Sequence, residues 1–415
     1  MGSYNLYNQK SKVKPAIALV DCDNFYVSCE IVFNPKLKDK PVVVLSNNDA
    51  VVVARSNQAK ELGIPMGAPI FKIKPFLEKH NVITIPSNLP LYANMSNRVM
   101  NIILEDFPNT EIYSIDEAFI NFNLSKTNLE KLFSLQNKIL KWTGIPTSIG
   151  VSTTKTLAKV ATKIAKKKQN QKIHILLDPD EIKNTLSTFD IEDIWGIGNS
   201  YSKFLKSHNI NTALDLANAD DIFIKKHLGI PGLRIAHELR GIQCIDIEID
   251  QKPKKSIMRS LSFPVETQNF DEISSYISRF AEICAKTLRK QNSTATIVSV
   301  FISTNPFKEN YFSNFISLPL PYPTNSTFDI VNFSLHLLKS IYKPEHLYKR
   351  AGVIVSGILP LNSIQQHLFI KPDPRKQILS HLIDEINSRF GPASLHIALS
   401  KPPTKNQPLI FEITI

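Results

Sequence analysis

Ile112-Tyr113-Ser114-Ile115-Asp116-Glu117-Ala118-Phe119 is the stretch on which the fold turns. Two acids stand side by side in an otherwise mainly apolar run, and 112–122 reads as a strand interrupted by Asp116-Glu117. Ionised carboxylates are costly to bury unpaired. Successive strand side chains point to opposite faces, so at most one of these two can lie on the core face without a bend. A divalent cation removes the cost, because Mg²⁺ takes carboxylate oxygen and completes its shell with phosphate. Solvated acids at a strand end would look the same, and spacing alone favours that reading.

Upstream, 16–20 is a short apolar run that ends in Asp21 and reads as a buried strand carrying a third acid. Pro41-Val42-Val43-Val44-Leu45 is a second strand, followed by turn-prone Ser46-Asn47-Asn48-Asp49. Leu91, Met95, Val99, Ile102 and Ile103 recur at helical spacing, which predicts an amphipathic helix over 90–105. Three carboxylates on neighbouring strands would hold two metal ions, and such pairs serve phosphoryl transfer by aligning the attacking and leaving oxygens.

A second group is basic. Lys155, Lys159, Lys163 and Lys166-Lys167 form one stripe of a helix, and Leu157, Val160, Ala161 and Ile164 another. A merely solvated face usually intersperses acids, and 155–172 contains none, so the stripe points to phosphate. A third group is Ile194-Trp195-Gly196-Ile197-Gly198, with Leu205 and Ile210 beyond it. Gly196 and Gly198 allow a tight hairpin that brings backbone N–H groups and a helix N-terminus against a phosphate. This looks like a helix-hairpin-helix, which grips the DNA backbone without reading sequence.

The 415 residues exceed one compact core and suggest two to four domains. Basic residues outnumber acidic ones by twelve, which fits a polyanionic partner. Four scattered cysteines (Cys22, Cys29, Cys244, Cys284) form no CxxC pair, so neither a zinc site nor a disulfide framework is expected, in keeping with a cytoplasmic setting. No apolar run is long enough to span a bilayer, so no membrane partner is expected, and the polar start lacks the core of an export signal. Near residue 180 the pattern becomes that of a small helical module, and a charged stretch with Pro253 reads as a linker. A β–α–β pattern follows, with a helix over 270–290 and β-branched runs at 294–304 and 352–358. A proline-rich tail holds one more helix near 375–389.

Together these stretches resemble Y-family DNA polymerases, and the UmuC branch (catalytic subunit of DNA polymerase V) in particular. The resemblance rests on Asp21-Cys22-Asp23-Asn24-Phe25-Tyr26, on 40–49, on Ala93-Asn94-Met95-Ser96-Asn97-Arg98-Val99-Met100, on 113–119, on 154–159 and on Trp195-Gly196-Ile197-Gly198, in the family's order. It implies an α+β right-hand fold with a ferredoxin-like palm (15–31 and 84–178), small fingers (32–83) and a helix-hairpin-helix thumb (179–245). A linker (246–256), a βα little finger (257–357) and a C-terminal extension (358–415) follow, and 1–14 is expected to be a disordered N-terminus.

The resemblance further implies an error-prone translesion polymerase of the SOS DNA damage response, acting in the cytoplasm at the nucleoid and lacking a proofreading exonuclease. Asp21, Asp116 and Glu117 match its catalytic, metal-binding carboxylates for two Mg²⁺ ions, with the Cys22 carbonyl a further ligand. Tyr26 matches the steric gate against a 2′-OH, and Lys60 and Lys166 the residues that hold the incoming dNTP. Lys155, Lys159, Gly196 and Gly198 would meet primer–template DNA. Gln365, Leu368 and Phe369 resemble a peptide that docks in the sliding clamp, and the extension implies a UmuD-like accessory dimer and a RecA filament as partners. Two departures stand out: Asn57 replaces a tyrosine common in relatives, and Ala50 stands where UmuC proteins commonly carry glycine. The rival readings are a DinB-type enzyme of the same fold, a catalytically dead DNA-binding scaffold, and a metal-dependent nuclease.

Overall fold

The computed structural model describes residues 15–168, 172–250, 252–364, 369, 373–391 and 394–398. The chain divides into two compact units between residues 251 and 252, inside the expected linker.

In the first unit, strand β1 (Pro15–Cys22) leads into helix α1 (Phe25–Phe33). A small module follows: β2 (Val42–Leu45), β3 (Val52–Arg55), α2 (Asn57–Glu61), α3 (Ile70–Lys79) and β4 (Ile83–Ile85). Its sheet runs β3-β2-β4, with β4 parallel to β2, over a core that includes Val43, Leu45, Val52, Ile64 and Leu77. The chain continues through α4 (Leu89–Asp106), β5 (Thr110–Ile112), β6 (Glu117–Asn123), α5 (Lys126–Thr143), β7 (Thr147–Ser152), α6 (Lys155–Ala165) and β8 (Ile173–Ile175).

The main sheet has the order β5-β6-β1-β7-β8. Its first four strands follow the ferredoxin-like pattern, in which a β–α–β and a second β–α–β interleave. Both faces of β1 are covered, which is why 16–20 reads as continuously apolar. Ala16, Ala18 and Val20 pack with residues of α4 and α5, whereas Ile17 and Leu19 pack with Phe119 and Ala158 of α6. Helix α6 lies so close to β7 that a Cβ at Gly150 would sit 2.2 Å from the Thr162 backbone nitrogen.

Helices α7 (Pro179–Thr188), α8 (Asn199–Ser207), α9 (Ala213–Asn218) and α10 (Asp221–Leu239) build a helical module on Leu186, Ile191, Ile197, Leu205, Leu216 and Leu228. Helix α10 is kinked at Gly229, whose φ of 69° only glycine adopts cheaply. The stretch read as a linker is not loose at its start. Within it Glu248 N donates to Glu111 and Ile247 packs beside Leu19, just after Cys244 N and Ile245 N donate to Glu238.

The second unit is a four-stranded antiparallel sheet with two helices, richer than the expected β–α–β. Its elements are β9 (Ser256–Thr267), α11 (Phe270–Lys290), β10 (Ser293–Ser303), β11 (Ser313–Thr324), α12 (Thr327–Ile341) and β12 (Tyr348–Ser356). The order is β11-β10-β12-β9. A short β13 (Leu359–Pro360) pairs with β10, and α13 (Pro374–Phe390) docks on this unit. There Arg289 donates to both carboxylate oxygens of Asp384, at 2.6 and 2.9 Å. Among the described residues no helix is long and apolar enough to cross a membrane.

Candidate active site

The run 112–122 is not one strand. β5 and β6 form an antiparallel hairpin, with Ile112 opposite Ala118, and 113–116 make the turn. Tyr113 N and Ser114 N donate to the Glu117 carbonyl at 3.0 and 3.1 Å. The Ser114 hydroxyl accepts from Glu117 N (3.0 Å) and donates to Asp116 Oδ1 (2.6 Å). A hydroxyl competing with the ladder for backbone donors is a turn-former. It supplies the bend that strand alternation demanded, so Asp116 leaves the turn and Glu117 opens β6.

The register of β1 then sets Asp21 directly opposite Glu117, and Cys22 N donates to the Asp116 carbonyl at 2.9 Å. Like charges facing each other across strands are destabilising. Burial lifts the Asp21 carboxyl to about 7, with the charges of Glu117 and Asp116 adding to the rise and Lys166 opposing it. Asp116 is raised too, first by burial and then by Glu117, against the hydrogen bond from Ser114. The neighbours that answer these acids come from α6 and its C-terminal cap: Lys166 Nζ donates to Asp21 Oδ2 at 2.7 Å, and Lys159 Nζ to both oxygens of Glu117 at 2.8 and 2.9 Å. Burial alone would lower the Lys166 ammonium, but the charge and hydrogen bond of Asp21 prevail and raise it.

Whether these residues suit a divalent cation is decided by the donor set. Three hard carboxylates crowd together, two of them held above their ordinary range by burial and mutual repulsion, and a cation relieves both. Among the described residues no three acidic, histidine or cysteine side chains already converge on one point. The chemistry of the donor set fits a divalent cation.

Asp21, Asp116, Tyr26, Lys60 and Lys166 line one cavity of about 540 Å³, a size usual for small-ligand sites. The Tyr26 ring stacks on buried Tyr92 at 4.2 Å, and Tyr92 in turn donates to Glu30 at 2.7 Å. The Tyr26 ring is thus backed by a fixed ring. Across the cavity, Lys60 Nζ donates to Asn24 Oδ1 at 2.5 Å, and Asn24 Nδ2 to Asn57 Oδ1 at 2.9 Å. Burial, followed by the charge of Lys166, lowers the Lys60 ammonium. Three cations (Lys60, Lys166 and Arg55) and two acids (Asp21 and Asp116) line the cavity, and the excess of positive charge favours an anion. Sequence reasoning missed Asn24 and Arg55, which also line it. The signal for Asn24 is its φ of 49°, a left-handed turn that asparagine tolerates and sequence does not display.

The lysine stripe needs correction. Its own segment carries no acid, but distant ones meet it in space. Lys155 is buried and donates to Glu111 at 2.5 Å, Lys159 pairs with Glu117, and Lys163 with Asp193. Lys155 is committed inside the fold and is not offered to a phosphate. The glycine hairpin takes its expected form: Gly196 has φ 85°, and Gly198 caps the start of α8 with nothing within 4 Å of a notional Cβ. Gln365 and Leu368 lie outside the described residues, and Phe369 is exposed.

The impB/mucB/samB family model matches residues 20–163, and the model of that family's C-terminal domain matches 254–368. Protein UmuC of Salmonella typhimurium is 37% identical over 391 residues, covering 92% of each chain. The chain belongs to this family and is a UmuC-type Y-family DNA polymerase. The polymerase is also similar to protein SamB of Salmonella typhimurium (37% over 380 residues, 89% of this chain and 90% of that one). DNA polymerase IV of Picrophilus torridus stands further off, at 29% over 354 residues, 84% of this chain and 98% of that one. Among solved structures, a Y-family polymerase chimera of Dbh and Dpo4 superposes with a TM-score of 0.67 at 24% identity, over 83% of this polymerase and 99% of the chimera. That likeness shows the right-hand α+β fold.

Proposed function

We propose that this translesion polymerase extends a primer past damaged template bases by two-metal-ion nucleotidyl transfer with Mg²⁺, in the SOS response to DNA damage. One observation carries the reading: a single cavity brings together the acids Asp21 and Asp116, the cations Lys60 and Lys166 and the Tyr26 ring. Asp21, Asp116 and Glu117 would hold the ions, with the Cys22 carbonyl beside them; when bound, the ions activate the primer 3′-OH and neutralise the triphosphate. Lys60 and Lys166 bind phosphate oxygens, and Asn24 orients Lys60 through the bond between them. Tyr26, backed by Tyr92, lies under the sugar and excludes a 2′-OH. Gly196 and Gly198 present backbone N–H groups to the DNA backbone.

The main sheet reads as the palm, the β3-β2-β4 module as the fingers, the α7–α10 module as the thumb and the second unit as the little finger. A UmuD-like dimer, a RecA filament and, through Gln365, Leu368 and Phe369, the sliding clamp complete the proposal, placed in the cytoplasm at the nucleoid. Primer extension on undamaged and abasic templates, with and without a UmuD-like dimer and RecA, tests it. Bypass that needs both partners is the expected result; full bypass by the chain alone would count against the partner scheme.

A further inference from the structure

Lys159 is enclosed. Besides its two contacts to Glu117, its ammonium lies 4.8 Å from the centroid of the Tyr113 ring, 5.3 Å from that of Trp195 and 5.6 Å from that of Phe119. The walls brace one another. Tyr113 meets Trp195 edge-on at 5.7 Å and Phe119 at 5.4 Å, and Trp195 Nε1 donates to the Tyr113 hydroxyl at 3.2 Å. Tyr113, Glu117 and Phe119 belong to the acid-bearing hairpin. Trp195 comes from the helical module and is the residue before Gly196. An ammonium is attracted to aromatic faces, more strongly where water is excluded. Here the Lys159 side chain is 15% exposed and that of Glu117 19%.

We propose that Trp195 is a positioning residue for the reaction centre. It closes the aromatic cage on Lys159, and the caged ammonium fixes the orientation in which Glu117 presents its oxygens. The inference rests on the reading of Asp21, Asp116 and Glu117 as that centre. It makes the grip on the DNA backbone and the catalytic carboxylate mechanically continuous: a hairpin shifted by DNA carries the indole, and with it the cage. A ring that only packed two modules together would need volume and not an aromatic face.

Single-nucleotide incorporation at saturating primer–template separates these roles. Trp195→Leu keeps volume without a face and lowers kcat about tenfold while the nucleotide KM stays within about twofold. Trp195→Phe keeps a face and most of the rate. Lys159→Met reproduces the loss, and Lys159→Arg restores part of it. A second readout avoids turnover. Trp142→Phe leaves Trp195 as the sole tryptophan, since the chain has two. Mg²⁺ alone then changes its emission, and Lys159→Met abolishes the change. Normal kcat in Trp195→Leu, or a loss confined to DNA affinity, overturns the inference. If Asp116→Ala is inactive while Trp195→Leu turns over normally, the cage alone falls; if Asp116→Ala remains active, the reading of the centre falls first.

Discussion

Glu238 is fully buried near the end of α10 and faces the start of α6. One oxygen accepts from Thr156 N and Thr156 Oγ1 at 2.9 and 3.1 Å, the other from Cys244 N and Ile245 N, both at 3.0 Å. Glu238→Gln preserves shape but turns one acceptor into an NH₂ group. The best remaining arrangement points that group at Thr156, whose hydroxyl can rotate to accept while its backbone N–H is stranded. A stranded buried donor costs roughly 1–3 kcal/mol. Removing the negative charge from a helix N-terminus costs about 1 kcal/mol more. Weakening the two surviving charge-assisted bonds adds about 1–2 kcal/mol, and the smaller desolvation cost of an amide offsets part of the sum. The net is about 3 kcal/mol, a fall of about 6–12 °C in the midpoint of a unit this size. Thermal unfolding of the full chain in EDTA, followed by circular dichroism, measures it. A midpoint within about 2 °C of wild type would show that Glu238 carries no such burden.

Other consequences follow from the same geometry. Gly150→Ala places a Cβ 2.2 Å from Thr162 N and 2.4 Å from the Ala158 carbonyl, so it should destabilise by about 1–3 kcal/mol in a denaturant titration. Gly198→Ala has open space and should keep the wild-type midpoint while weakening DNA binding in a filter or anisotropy assay. In metal-free protein the Asp21 carboxyl titrates near 7, above the ordinary value of about 3.9 in an unfolded chain. Between those values the unfolded chain ionises and the folded one resists, so stability falls as pH rises from about 4 to about 7. Asp21→Asn should therefore gain on wild type in EDTA melts from pH 5 to pH 8, and a pH-independent difference would contradict the assignment. Tyr26→Ala should raise ribonucleotide incorporation at least about tenfold, read as the ratio of kcat/KM for dNTP and rNTP.

Much of this was legible in the sequence because it is local. The β1 run shows its burial on both faces, α4 shows its period, and Gly196 with Gly198 shows its turn. The hairpin at 113–116 was hidden because no glycine, proline or asparagine marks it; the bend is made by one serine hydroxyl bonding backbone donors. The partners of the lysine stripe were hidden for another reason. Glu111, Glu117 and Asp21 lie 42 or more residues from the lysines they meet, and only the sheet order brings them to α6. The start of the linker looked free because its anchor, Glu111, acts through a backbone donor that any sequence carries.

The proposed function stands or falls with Asp21, Asp116 and Glu117 as the reaction centre. Single-turnover insertion of one nucleotide, with Mg²⁺ and any partner proteins the wild type requires, tests it most directly. Asp116→Ala should bind primer–template as wild type does and lose insertion by a factor of about 10³ or more. Insertion at the wild-type rate by that variant would contradict it.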